Sequence, residues 1–254
     1  MIELKTEAEI QKMKAAGKVV EDTLKLLERS VREGITTEEL DRISEDYIRS
    51  CGAVPSFLNY EGYPKSICVS INDQVVHGIP GKRRIKDGDI VSCDVGAYLD
   101  GFHGDAARTF IVGNVPDEVK ELVKVTRECF FEALKYCREG YRISDISIAV
   151  QKHAESHGYG VVRELIGHGV GRHMHEQPDV PNYYSPHSRQ RLQAGMTIAI
   201  EPMINLGTAA VWQLEDGWTV VTRDGKPSAH YENSVAVTSG DPILLTLTED
   251  VHEG

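Results

Sequence analysis

The stretch Ile90 to Val112, IVSCDVGAYLDGFHGDAARTFIV, constrains this chain more than any other. Asp100-Gly101 sits between two apolar-rich runs, a strong short-range signal for a β-hairpin closed by a type I′ turn. Folded there, Leu99 lies opposite Phe102, Ala107 opposite Asp94, and Asp105 opposite Gly96. Positions 94 and 96 share a face, because side chains alternate along a strand. Asp94 and Asp105 are then diagonal neighbours, roughly 6–8 Å apart at Cβ. Two carboxylates held that close repel unless a proton or a cation sits between them. One Asp near a turn reads as a solvated edge residue. Two on one face of an apolar hairpin read as part of a metal site, with the remaining ligands drawn from elsewhere.

Composition narrows the class. The 254 residues are 41% hydrophobic and carry a net charge of −11 from 28 basic and 39 acidic side chains. That is ordinary for a globular chain with a sizeable core, and the acidic balance argues against a nucleic-acid or anionic membrane surface. Cys51, Cys68, Cys93, Cys129 and Cys137 are odd in number and form no CxxC pair, as expected of reduced thiols in a cytoplasmic protein. The charged start, MIELKTEAEIQKMK, lacks the apolar core of a signal peptide, and no apolar run reaches membrane-spanning length.

The periodicity predicts helices from Thr6 towards a stop at Gly34, from Thr36 to Gly52, from Pro116 to Arg138, and from a Ser144 cap to His157. Short strands are predicted at Ile67–Ile71 and Gln74–Val76. Strands and loops follow from Val161, and a second Asp-Gly turn, Asp224-Gly225, is expected to join strands 218–222 and 229–237. No linker interrupts the chain, so residues 1–254 are expected to form one domain.

An internal echo adds to this. KDGDIVSCDVG (86–96) and QAGMTIAIEPM (193–203) both read turn glycine, apolar strand, carboxylate, so that Glu201 corresponds to Asp94. Two helices accompany each carboxylate strand, which predicts an α+β fold, a pseudo-twofold curved antiparallel sheet with helices packed on one face. His168 stands between glycines in IGHGVG. A phosphate-loop reading of that run fails for want of a following helix and a Lys-Ser/Thr pair; a histidine around which backbone and ligands crowd closely fits better. Glu201 and Glu232 lie in core-like strands, where Glu is rarely buried unless paired. Asp94, Asp105, His168, Glu201 and Glu232 together offer one imidazole and four carboxylates. Such a set suits two ions of the Mn²⁺, Fe²⁺, Co²⁺ or Zn²⁺ type, roughly 3.5–4 Å apart.

These five residues in this order, with HGIP around His77, DGFHGD at 100–105, GHGVG at 167–171, the His175-Glu176 pair and IEPM at 200–203, resemble the methionine aminopeptidases, most closely the short bacterial type I enzymes. The resemblance spans residues 1 to about 248. It implies the pita-bread fold and hydrolytic removal of the N-terminal methionine from nascent polypeptides, including chains still at the ribosome, preferentially where the second residue is small. By the same resemblance Asp94, Asp105 and Glu232 ligate one metal and Asp105, His168, Glu201 and Glu232 the other, with Asp105 and Glu232 bridging. Glu201 would shuttle the proton of the attacking water. His77 and His175 would contact substrate as non-ligand histidines. Phe57, Tyr60, Tyr63, Cys68, Met174 and Trp218 match the pocket for the first side chain, although the family more often has Cys at position 57 and Phe at 174. A monomer without nucleic-acid or membrane partners is implied. Prolidases and X-Pro aminopeptidases, which share the fold and ligand set, are the nearest alternative; a non-catalytic peptide-binding relative is another.

Overall fold

Thr6 opens helix α1 (Glu7–Ser30). Its hydroxyl accepts from the Glu9 N–H while the Glu9 carboxylate accepts from the Thr6 N–H, the reciprocal cap its spacing predicts. Thr36 and Glu39 repeat the device at α2 (Thr37–Ser50). The computed structural model describes residues 2–247; Met1 and residues 248–254, and with them both ends of the expected 1–254 domain, lie outside the described residues. Met13, Val20, Leu24 and Leu27 line the buried face of α1, as their helical spacing requires.

The hairpin forms in the predicted register. Strands β4 (Ile90–Leu99) and β5 (Phe102–Ile111) pair Leu99 with Phe102, Gly96 with Asp105 and Asp94 with Ala107. Asp100 and Gly101 both take positive φ, at 50° and 90°, as a type I′ turn demands. Strand β4 also pairs with β1 (Val54–Pro55) and β2 (Ile67–Ile71). The second half supplies α3 (Asp117–Leu134), α4 (Ile143–Ser156) and a five-stranded sheet. That sheet runs β15 (Ile243–Leu244), β14 (Asn233–Ala236), β9 (Thr197–Ile200), β7 (Gly167–Gly169), β8 (Glu176–Val180). Two three-stranded sheets complete the scaffold. One orders β13 (Ser228–His230), β10 (Met203–Asn205) and β6 (Gly160–Val161); the other orders β11 (Val211–Gln213), β12 (Val220–Thr222) and β3 (Gln74–Val76).

The echo read from the sequence is structural. Gly88 before β4 and Gly195 before β9 sit in matching turns, with φ of 90° and 93°. One large apolar cluster packs α1 and α2 against β2, β4 and β5; the other packs α3 and α4 against β9, β13 and β14. The halves are sewn together where Ala107 of β5 and Glu232 exchange backbone hydrogen bonds of 3.3 and 3.0 Å. This is the helix-backed antiparallel α+β architecture expected.

Four local expectations need correction. Ser144 does not cap α4: the cap is Arg142, whose N–H donates to the Asp145 carboxylate, and Ser144 is already helical and buried. Helix α3 ends at Leu134 instead of Arg138, because residues 134–137 tighten into turns. Asp224-Gly225 does not close a hairpin. Strand β12 pairs with β11 and β3, whereas the next strand, β13, belongs to another sheet. The Asp224 carboxylate instead accepts from the N–H groups of Thr208 and Lys226. The single strand expected at 229–237 is likewise two, β13 and β14, with Glu232 at the break between them.

Candidate metal centre and active site

The five donors come from five places and meet. Asp94 is mid-β4, and Asp105 is diagonal to it on β5. His168 is central in β7, Glu201 follows β9, and Glu232 joins β13 to β14. His168 Nε2 lies 3.6 Å from Asp105 Oδ2 and 3.5 Å from Glu201 Oε1. One donor atom each from Asp105, His168 and Glu232 falls within 4.8 Å of the others, and the same holds for Asp94, His230 and Glu232.

Local structure explains the aim of each. Gly167 and Gly169 flank His168 because a Cβ at either would stand 2.4 Å from a backbone oxygen, that of Ala199 or Gln177. His168 Nδ1 donates to the Gly169 carbonyl at 2.8 Å, which leaves Nε2 bare and turned to the carboxylates. His77 has φ of 58°, a left-handed backbone that few residues with a Cβ adopt, and its ring lies 6.5 Å from that of Trp218.

Electrostatics asks for cations. Among the described residues, Asp94 Oδ1, Asp105 Oδ1 and Glu232 Oε1 are buried and accept no hydrogen bond. Burial, with the Asp105 carboxylate alongside, holds Asp94 and Glu232 well above the usual carboxylate range. Burial pushes Glu201 up to about 8 against the pull of His168. Buried unpartnered carboxylates crowded together are costly, and divalent cations are the counter-charge that removes the cost. The donor set fits them.

Beside this floor stands a separate apolar cluster of Phe57, Tyr63, Cys68 and Met174, with Tyr60, Ile79 and Trp218 packed on it. All six residues expected in the side-chain pocket are therefore together. Between them and the carboxylates lies a cavity of about 200 Å³, which His77 and His175 also line. Tyr60 Oη is 2.7 Å from His175 Nδ1, and the His175 ring stands edge-on to His168 at 4.2 Å. Burial lowers both histidines, His175 to about 4, so each is neutral at pH 7.

Sequence reasoning missed Ile79, Leu165, Ile166 and Met203 in the lining, and His230 beside Asp94 and Glu232. His230 stands two residues before Glu232, the spacing that puts neighbours on one face of a strand, so a signal was present.

The description "Metallopeptidase family M24" fits residues 11–239. The chain belongs to family M24, with the methionine aminopeptidases. A methionine aminopeptidase of Clostridium perfringens is 53% identical over 247 residues, 97% of this chain and 99% of the relative. Among solved structures, the methionine aminopeptidase of Rickettsia prowazekii superposes with a TM-score of 0.95 at 42% identity, over 97% of this chain and all of that one. That of Thermotoga maritima gives 0.95 at 44% identity, over 97% and 99%. The buried donor cluster lies within the residues that match the metallopeptidase family. Among the described residues, no helix is long and apolar enough to cross a membrane.

Proposed function

We propose that Asp94, Asp105, His168, Glu201 and Glu232 hold two divalent ions, and that His77, His175 and Glu201 carry the reaction of a methionine aminopeptidase within one domain. The activity is metal-dependent hydrolysis of the bond after an N-terminal methionine. The observation that carries this reading is one cavity with a floor of five metal-type donors and a wall of apolar and sulfur-containing side chains. Ions bound there supply a Lewis acid for the scissile carbonyl and a water of lowered pKa.

The chain's own groups do the rest. The apolar wall takes the unbranched thioether side chain, with Met174 and Cys68 adding polarisable contact. Glu201 accepts the proton of the attacking water and passes it to the leaving amine. Tyr60, donating to His175 Nδ1, fixes the tautomer that leaves Nε2–H to steady the developing oxyanion. His77 bonds the substrate amide. A small second residue suits an enclosed site of this size. Substrates are the N-termini of nascent polypeptides in the cytoplasm, including those still at the ribosome, and the chain acts as a monomer.

Ion-free protein titrated separately with Mn²⁺, Fe²⁺, Co²⁺ and Zn²⁺ should gain activity on Met-Ala-Ser and remain nearly inactive on Ala-Pro peptides. Preference for Ala-Pro would move the chain to the X-Pro peptidases instead.

A further inference from the structure

We propose that His230 is a positioning residue of this metal centre, its Nε2–H donated to the carboxylates of Asp94 and Glu232. The proposal rests on the ligand reading above and extends it to a residue outside the five.

His230 ends β13, and its backbone is fixed. Its N–H donates to Thr109 Oγ1 at 3.0 Å, and its carbonyl accepts from the same hydroxyl at 2.9 Å. The residue is 2% exposed, yet its Nε2 is buried with no hydrogen-bond partner among the described residues. That nitrogen lies 3.6 Å from Glu232 Oε2, and a ring nitrogen of His230 falls within 4.8 Å of an Asp94 oxygen. Asp94 Oδ1 and Glu232 Oε1 are also buried without a donor. An unused donor on one residue beside two carboxylates that each keep an unpartnered oxygen is an arrangement proteins rarely leave unmade, since each orphan loses its hydration for nothing. A shift of about half an ångström brings 3.6 Å into hydrogen-bond range.

Two other nearby groups cannot serve. The guanidinium of Arg108 is committed to the carbonyls of Ala107 and Glu232 and to Asn233 Oδ1. His168 has its Nδ1–H on Gly169 and presents a bare Nε2, the form that binds a metal, not one that donates. Charge also favours a neutral donor: four carboxylates already balance two divalent ions, and an added cation would upset the balance. Carboxylates that bind metals are ordinarily oriented through their second oxygen, and loss of that partner typically weakens metal affinity about 10–100-fold.

Two variants test this in the full chain, freed of metal and titrated with Co²⁺ by visible absorption and calorimetry. In His230→Leu, one of the two ions should bind about 10–100-fold more weakly while the other stays within about threefold. In His230→Gln, whose amide N–H replaces the imidazole donor, both should bind within about threefold of the unsubstituted chain. Circular dichroism melts of the ion-free proteins show whether the leucine substitution has disturbed the fold. Tight binding of both ions by His230→Leu overturns the proposal, as does a His230→Gln variant no better than His230→Leu. If the unsubstituted chain takes up no ion, or Asp105→Ala retains both, the ligand reading fails and the role of His230 falls with it.

Discussion

Ser234 and Asp105 are bonded twice through one hydroxyl: Ser234 Oγ accepts from the Asp105 N–H at 3.1 Å and donates to the Asp105 carbonyl at 2.9 Å. On the edge of β5 turned away from β4, this hydroxyl serves Asp105 as the Glu232 backbone serves Ala107 two residues on. Ser234→Ala leaves both buried backbone groups of Asp105 without partners. A loss of about 1–3 kcal/mol is expected from denaturant curves. Mn²⁺ affinity should fall with it, because the backbone that aims the proposed shared ligand is loosened. Unchanged stability would mean that another group or water substitutes for the hydroxyl.

Tyr60 tests the tautomer argument. Tyr60→Phe keeps the apolar wall and removes only the hydroxyl on His175 Nδ1. Turnover should fall about tenfold or more, at the low end of what one positioned proton-handling group contributes. Metal content and KM should change little. An equal fall in kcat/KM through KM alone would place Tyr60 in binding instead.

Ion removal should show a pH signature. Asp94, Glu201 and Glu232 have folded pKa values above their ordinary ones, Glu201 at about 8 against 4.5. The ion-free native chain therefore holds more protons on these groups than the unfolded chain does. Their contribution to stability is present at low pH and is lost as pH rises towards 8. Divalent ions replace those protons and restore stability at the upper end, by about 2.7 kcal/mol at a hundredfold excess over Kd. Melting temperatures with and without chelator should diverge towards pH 8 and converge towards pH 5. A gap independent of pH would contradict the buried-carboxylate account, and chelation should abolish activity throughout.

The hairpin was legible because period-2 alternation and a two-residue turn fix register without tertiary information; Asp94 and Asp105 followed directly. The capped helices were legible for the same local reason. Glu232 was found as a donor but misplaced within a continuous strand. Its chain leaves one sheet for another to pair with Ala107, a contact between residues 125 positions apart that no local pattern records. Asp224-Gly225 misled similarly: the dipeptide makes its turn, but the partner of each flanking strand is chosen by distant segments. His230 went unread because a lone buried histidine carries no periodic signal, only its spacing from Glu232.

Lys5 and Glu176 extend the site's support to the N-terminal segment. The Lys5 side chain is fully buried, and its Nζ lies 2.7 Å from Glu176 Oε2, one residue after His175. Burial alone would raise Glu176, but the His173 N–H and the Lys5 ammonium outweigh it and hold the carboxylate below its ordinary value. A depressed carboxylate stabilises above its unfolded pKa of about 4.5, and that stabilisation is lost as pH falls through the folded value. Glu176→Gln removes the close ionic partner of Lys5 and leaves it, among the described residues, the Glu3 carboxylate at 3.7 Å and the Glu3 carbonyl at 3.3 Å. A cost of about 3 kcal/mol at pH 7 is expected, at the lower end for a buried pair losing one partner. The difference from the unsubstituted chain should narrow below about pH 4.5. A difference constant with pH would assign the loss to packing.

Gly104 sets α1 directly against β5, one residue from the proposed ligand Asp105. A Cβ there would meet Gly17 N at 2.8 Å, Gly17 Cα at 2.9 Å and the Ala16 carbonyl carbon at 3.0 Å, all backbone of α1. Backbone cannot rotate away as a side chain can, so Gly104→Ala must push β5 from α1 or shift the hairpin. Overpacking of this kind typically costs about 1–3 kcal/mol. Because Asp105 is the next residue, the displacement reaches a proposed ligand, and metal affinity should fall together with stability. Gly101→Ala separates the two effects. It places a Cβ in open space but at a φ of 90°, so it strains the turn without touching α1. It should lower the melting temperature modestly while leaving ion binding intact. If Gly104→Ala binds ions as tightly as the unsubstituted chain, then β5 can shift without carrying Asp105 along, and the helix is support for the hairpin alone.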